Sequence, residues 1–96
     1  MRPREILHAK KSLILRICES YGASNVRVFG SVARGEATEA SDIDLLVEFT
    51  QPVSLLDHAQ LVRDLERITG CKVDVVSDKG IKPRIRERIL KEARPL

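Results

Sequence analysis

Hydrophobic residues recur along this chain at two spacings, one of strands and one of helices. From Asp42 to Phe49 they alternate, with Ile43, Leu45, Val47 and Phe49 on one side, the two-residue period of a half-buried strand. Asp42 and Asp44 then share the opposite side, roughly 6.5 Å apart along the strand. A one-residue slip would carry both carboxylates into the core, which fixes the register. Val26 to Phe29 and the β-branched run Lys72-Val73-Asp74-Val75-Val76 read as two further strands. Helical spacing governs much of the remainder. From about Arg4 to Tyr21, Ile6, Leu7, Leu13, Ile14, Ile17 and Cys18 fall on one side of a helix that Gly22 ends. Ser54 caps a second helix whose expected buried stripe is Leu55, Ala59, Val62, Leu65 and Ile68, and Gly70 stops it. Pro83 opens a last helix, and Ile81, Ile85 and Ile89 recur every four residues, so one face of it is expected to pack. The pattern predicts an α/β fold, a short mixed sheet of about three strands flanked by helices, with residues 1–96 forming one domain.

Candidate chemistry concentrates between Gly30 and Phe49, which read GSVARGEATEASDIDLLVEF. Two carboxylates on one strand face repel each other unless a cation or proton intervenes, and such oxygen ligands suit Mg²⁺ or Mn²⁺. Asp74, on the next expected strand, supplies a third. Three carboxylates on neighbouring strands can hold two metal ions, the arrangement of a two-metal phosphoryl-transfer site. Ahead of them, Gly30 permits a tight turn after a strand, and Ser31 falls where a helix N-cap would present its hydroxyl and free N–H groups to phosphate. Arg34 is one turn further on, either a bidentate clamp for a triphosphate or a solvated loop arginine. Taken singly, Gly-Ser can be an ordinary turn and Asp-x-Asp an exposed strand start or a calcium loop. Their combination, with ten residues between Ser31 and Asp42, is more specific. Glu36 and Glu39 read as surface charges.

These residues resemble the nucleotidyltransferase superfamily that includes polymerase β and kanamycin nucleotidyltransferase. The local form is most similar to the minimal nucleotidyltransferases of prokaryotes, MntA-like antitoxin partners of HEPN-domain toxins, and the similarity covers nearly all of the chain. The resemblance implies a metal-dependent transfer of AMP from ATP to a hydroxyl, a tyrosine of the toxin, that silences it. It implies Asp42, Asp44 and Asp74 as catalytic residues and ligands of Mg²⁺ or Mn²⁺, with Gly30, Ser31 and Arg34 holding the nucleotide. Two alternatives remain: an antitoxin that neutralises by binding alone, and an RNA-directed nucleotidyltransferase or RNA-binding protein.

Composition narrows the setting. With 43% hydrophobic and 32% charged residues, and apolar runs far too short to span a bilayer, a globular cytoplasmic protein is expected. No signal peptide is expected either, because the N-terminus alternates charged and apolar residues. Cys18 and Cys71 lie far apart without metal-ligand spacing and read as small, half-buried residues. His8 and His58 read as structural. Three aromatic residues in the whole chain argue against extensive base stacking, and Tyr21 and Phe29 read as core or hinge positions. Charge, however, is unevenly placed. Residues 31–66 hold two basic and eight acidic side chains, whereas residues 79–96 hold seven basic and two acidic. The acidic centre calls for cations. The basic tail calls for an anion, which could be RNA, an acidic partner surface or the nucleotide's phosphates.

Overall fold

A four-stranded mixed sheet carries the chain in the computed structural model, which describes residues 2–96. Strands β1 (Ala23–Phe29), β2 (Ile43–Phe49) and β3 (Val73–Ser77) occupy the three expected stretches. A fourth, β4 (Arg94–Pro95), completes the order β3-β2-β1-β4. Two residues ending in proline carry no alternation to read, and proline is tolerated there because β4 lies at the sheet edge. β1 pairs antiparallel with β2 and β4, while β2 and β3 run parallel. A parallel pair needs a long crossover. Helix α4 (Leu55–Thr69) supplies it.

The first expected helix is two, α1 (Pro3–Ala9) and α2 (Lys11–Ser20), separated at Lys10 with φ −105° and ψ 11°. Neither glycine nor proline marks that break, so the sequence shows one continuous periodic segment. Leu7, Ile14 and Cys18 are buried as expected, but Leu13 is left partly exposed because the stripe shifts at the break. In α4 the Ser54 side-chain oxygen accepts the Asp57 N–H at 3.1 Å, and Gly70 ends the helix at φ +70°. Its buried stripe differs from the expected one. Leu61, Leu65 and Thr69 are buried, whereas Leu55 is 92% exposed and Ala59 is exposed as well. Packing begins about two turns into the helix, so extrapolating the stripe back to its first turn fails.

The sheet is covered on both faces. Leu7, Ile14, Cys18, Leu61 and Leu65 pack with Ile43, Leu45, Val47, Val73 and Val75 in the main core. A smaller cluster joins Phe29 and Leu46 to Ile81 and Ile89, which places α5 (Pro83–Glu92) over the other face. Asp78 ties that helix down by pairing with Arg86 at 3.1 Å and with Arg27 of β1 at 3.7 Å. Ile85, expected to pack, is 40% exposed because Ile81 and Ile89 alone reach the sheet. Since Asp44 alternates with Leu46, it faces the side that α5 shields, and α5 thereby becomes a wall of whatever forms around Asp44. Among the described residues, no helix is long and apolar enough to cross a membrane.

Candidate active site

The chain turns sharply from β1 into α3 (Gly30–Arg34) beside the start of β2. Gly30 has φ +73°, a left-handed conformation that side chains disfavour. Space is a second constraint, because a Cβ added at Gly30 would collide with the Asp44 carboxylate. The backbone of the turn is therefore in direct reach of the acid, and only glycine allows that approach. The N-cap position of α3 belongs to Phe29, so Ser31 sits inside the first turn and makes no side-chain cap hydrogen bond. This corrects the expected N-cap placement. Gly30, at φ +73°, makes the left-handed turn that leads from β1 into α3.

A cleft of roughly 550 Å³ opens over this turn. Gly30, Ser31, Arg34, Asp42 and Asp44 line it, which brings five of the six expected site residues together. Asp42 lies just before β2, not within it. Asp74 is not among the lining residues, but it is the register partner of Asp44 across the parallel β2–β3 pair. It therefore projects from the same sheet face next to Asp44, at the cleft's margin. Burial, then the charges of Asp74 and Asp42, raise the Asp44 carboxyl above the ordinary carboxylate value, with Arg34 opposing them. Asp44 thus feels the charge of both other acids.

This donor set, a half-buried Asp44 between the exposed Asp42 and Asp74, fits a hard divalent cation in its chemistry, because carboxylates that repel each other are relieved by positive charge. Among the described residues, no three such side chains converge into a preformed cage.

Arg34 ends α3 and is exposed, but its guanidinium is engaged on two sides. Its Nε donates to Glu36 at 3.0 Å, and its Nη1 approaches both oxygens of Glu92 at 3.1 and 3.2 Å. Those two carboxylates, Glu36 first, hold its pKa above the usual arginine value. The Glu92 side chain is only 19% exposed and also meets Arg88 Nε at 3.7 Å. Glu92, Arg88, Ile85 and Ile89 form the cleft's α5 wall, and sequence reasoning did not select them as site residues. Their spacing of three, four and seven was readable as one helical stripe. What it lacked was any indication that this stripe meets the start of β2.

Other candidates have structural roles. Cys18 is buried, and burial pushes its thiol up to about 11, which keeps it protonated and unreactive. Tyr21 is half-buried and donates to Asp64 at 2.7 Å. His58 lies 6.1 Å from the Phe49 ring, centroid to centroid.

Comparison with known proteins agrees with this geometry. The family model described as nucleotidyltransferase domain matches residues 10–96. The protein adenylyltransferase MntA of Thermococcus cleftensis is 42% identical over 74 residues, spanning 77% of this chain and 75% of that protein. A solved structure assigned as a minimal nucleotidyltransferase superposes with TM-score 0.85 at 54% identity, covering 97% of this chain and 95% of its own. A toxin-antitoxin crystal structure with AMP-PNP superposes with TM-score 0.78 at 17% identity, over 88% of this chain and 70% of that one, a likeness of fold.

Proposed function

The chain belongs to the nucleotidyltransferase domain family and is a nucleotidyltransferase; from that premise we propose that it is an antitoxin, transferring AMP from ATP to a hydroxyl, a tyrosine, on a HEPN-domain toxin. One observation carries the reading: the Gly30-Ser31 turn and the Asp42–Asp44 carboxylates face one cleft, with Arg34 on its wall. A backbone turn able to hold an anion beside an acid pair able to hold a cation is what a metal-bound triphosphate requires, and this supports the reading. A relative of 42% identity named protein adenylyltransferase MntA and a fold neighbour crystallised as a toxin-antitoxin with AMP-PNP support the class of reaction and of partner.

In this mechanism the backbone after Gly30, the Ser31 hydroxyl and the Arg34 guanidinium hold the β and γ phosphates. Asp42, Asp44 and Asp74 would hold Mg²⁺ or Mn²⁺. Bound there, the ion would supply charge neutralisation on the phosphates and a lowered pKa for the acceptor hydroxyl. The acceptor oxygen attacks the α-phosphorus, the bond from that phosphorus to the bridging oxygen breaks, and pyrophosphate departs. The hydroxyl proton passes to a carboxylate of the acidic set. The rest of the chain's contribution is position and electrostatics, which is what phosphoryl transfer chiefly needs.

The test is the intact mass of the HEPN-domain protein after incubation with this chain, ATP and Mg²⁺. A gain of one or more AMP units, absent with Asp42→Asn/Asp44→Asn, supports the reading. No gain while a stable complex forms would replace it with neutralisation by binding.

A further inference from the structure

Helix α5 buries very little for its length. Of its ten residues only Ile89 is buried, and Ile85 and Leu90 are 40% and 38% exposed. A helix in a small domain ordinarily owes its stability to a packed apolar stripe. Here Ile85 is left partly exposed at the cleft, and Leu90 on another side of the helix.

Resting on the transfer reading, we propose that the face of α5 bearing Arg84, Arg88 and Lys91, beside the cleft-lining Ile85, docks an acidic surface of the protein that delivers the acceptor hydroxyl. The helical repeat sets the geometry. Ile85, Arg88, Ile89 and Glu92 line the cleft, and at about 100° per residue Arg84 and Lys91 fall within roughly 60° of Arg88, on the side turned away from Ile89. They form the outer rim. A protein presenting a hydroxyl to Asp42 and Asp44 from the α5 side must lie across them.

Charge selects the partner's chemistry. Among the described residues Lys82 and Arg84 have no ion pair, and Lys91 meets only Glu87, at 3.8 Å, with both side chains about four-fifths exposed. The cleft beyond the rim is acidic, so an acidic surface is drawn to the rim and repelled from the carboxylates. Of the partner's own groups, a neutral hydroxyl meets less repulsion there than a carboxylate does. Arginine beside a partly exposed isoleucine, Ile85, is a composition common in protein interfaces. Recognition of single-stranded RNA commonly uses stacking aromatics, and α5 has none.

The experiment measures the affinity of the full chain for the HEPN-domain protein across a salt series, with ATP affinity and AMP transfer followed in parallel. Arg84→Glu/Lys91→Glu should weaken the partner complex at least about tenfold at low salt, and Arg84→Gln/Lys91→Gln by less. ATP affinity should stay unchanged, and the wild-type complex should weaken with salt far more than the variant complexes. Unchanged partner affinity in both variants would overturn the docking face, as would a parallel loss of ATP affinity. Displacement of the partner by a short single-stranded RNA, lost in the same variants, would assign the face to RNA instead. Partner binding that needs these cations, with no AMP transfer by the wild type, would keep the face and overturn the transfer reading. Transfer by wild type and variants alike would do the reverse.

Discussion

Gly30 and Asp44 share a space that only one side chain can occupy. A methyl group on Gly30 would land on the Asp44 carboxylate, and φ +73° adds left-handed strain of about 1–2 kcal/mol for any other residue. Gly30→Ala must therefore move either the turn or the acid. We expect AMP transfer to fall at least about 100-fold, since small misplacements at a reacting centre cost that much. Melting temperature should fall by only several degrees. A variant that folds and transfers normally would show that the close approach has no function.

Removing the charge of Asp42 and Asp44 has opposite effects on catalysis and on folding. Both acids line the cleft, and Asp44 is disfavoured as a carboxylate by burial and by its acidic neighbours. Asp42→Asn/Asp44→Asn should abolish transfer to the background of the assay. Its thermal stability should equal or exceed wild type, because repulsion is relieved. Divalent cation should raise the melting temperature of the wild type and leave the variant unmoved. Equal stabilisation of both would place the ion elsewhere.

The part of the site that was legible in the sequence lies on one local stretch. Gly30, Ser31, Arg34, Asp42 and Asp44 fall within fifteen consecutive positions, and strand alternation indicates which way Asp44 points, with Asp42 just ahead of β2. Asp74 could be matched to Asp44 because both open short strands. The α5 wall was not legible, since Arg88 and Glu92 reach the cleft through a tertiary packing choice, Ile81 and Ile89 onto Phe29 and Leu46. The break at Lys10, the phase of α4 and the two-residue β4 escaped for a related reason: each is decided by where an element lands on the sheet.

Arg34 is oriented by two carboxylates. Glu36 takes Nε and Glu92 takes Nη1, which leaves Nη2 outside these contacts. Arg34→Ala removes a charge-assisted contact and should weaken ATP binding by about 10-fold or more. Glu92→Ala leaves the arginine tethered by Glu36 alone, and its side chain must then be ordered by the ligand. That ordering corresponds to about 3- to 10-fold in affinity. The double variant should be little worse than Arg34→Ala, because Glu92 acts largely through Arg34. Tighter ATP binding by Glu92→Ala would show that the glutamate competes with phosphate instead of positioning the arginine.

Away from the cleft, the Tyr21–Asp64 hydrogen bond should leave a signature in the pH dependence of stability. Tyr21 donates to Asp64 at 2.7 Å and joins the end of α2 to α4, and Gln60 donates to the same carboxylate at 3.0 Å. The Tyr21 bond, then that of Gln60, lowers the Asp64 pKa below its ordinary value. The same bond to Asp64, ahead of burial, raises the Tyr21 pKa. For a lowered carboxylate, the stabilising contribution is present above the unfolded value, about 3.9, and is lost as pH falls through the lower folded value. For a raised tyrosine it is present below about 10 and is lost as pH rises through the higher folded value. Tyr21→Phe keeps the ring and deletes the bond. Its stability deficit against wild type should be flat between about pH 5 and pH 9, and should shrink on both sides. Denaturant unfolding at a series of pH values measures this directly. A deficit that does not change with pH would mean that the hydroxyl contributes by packing alone.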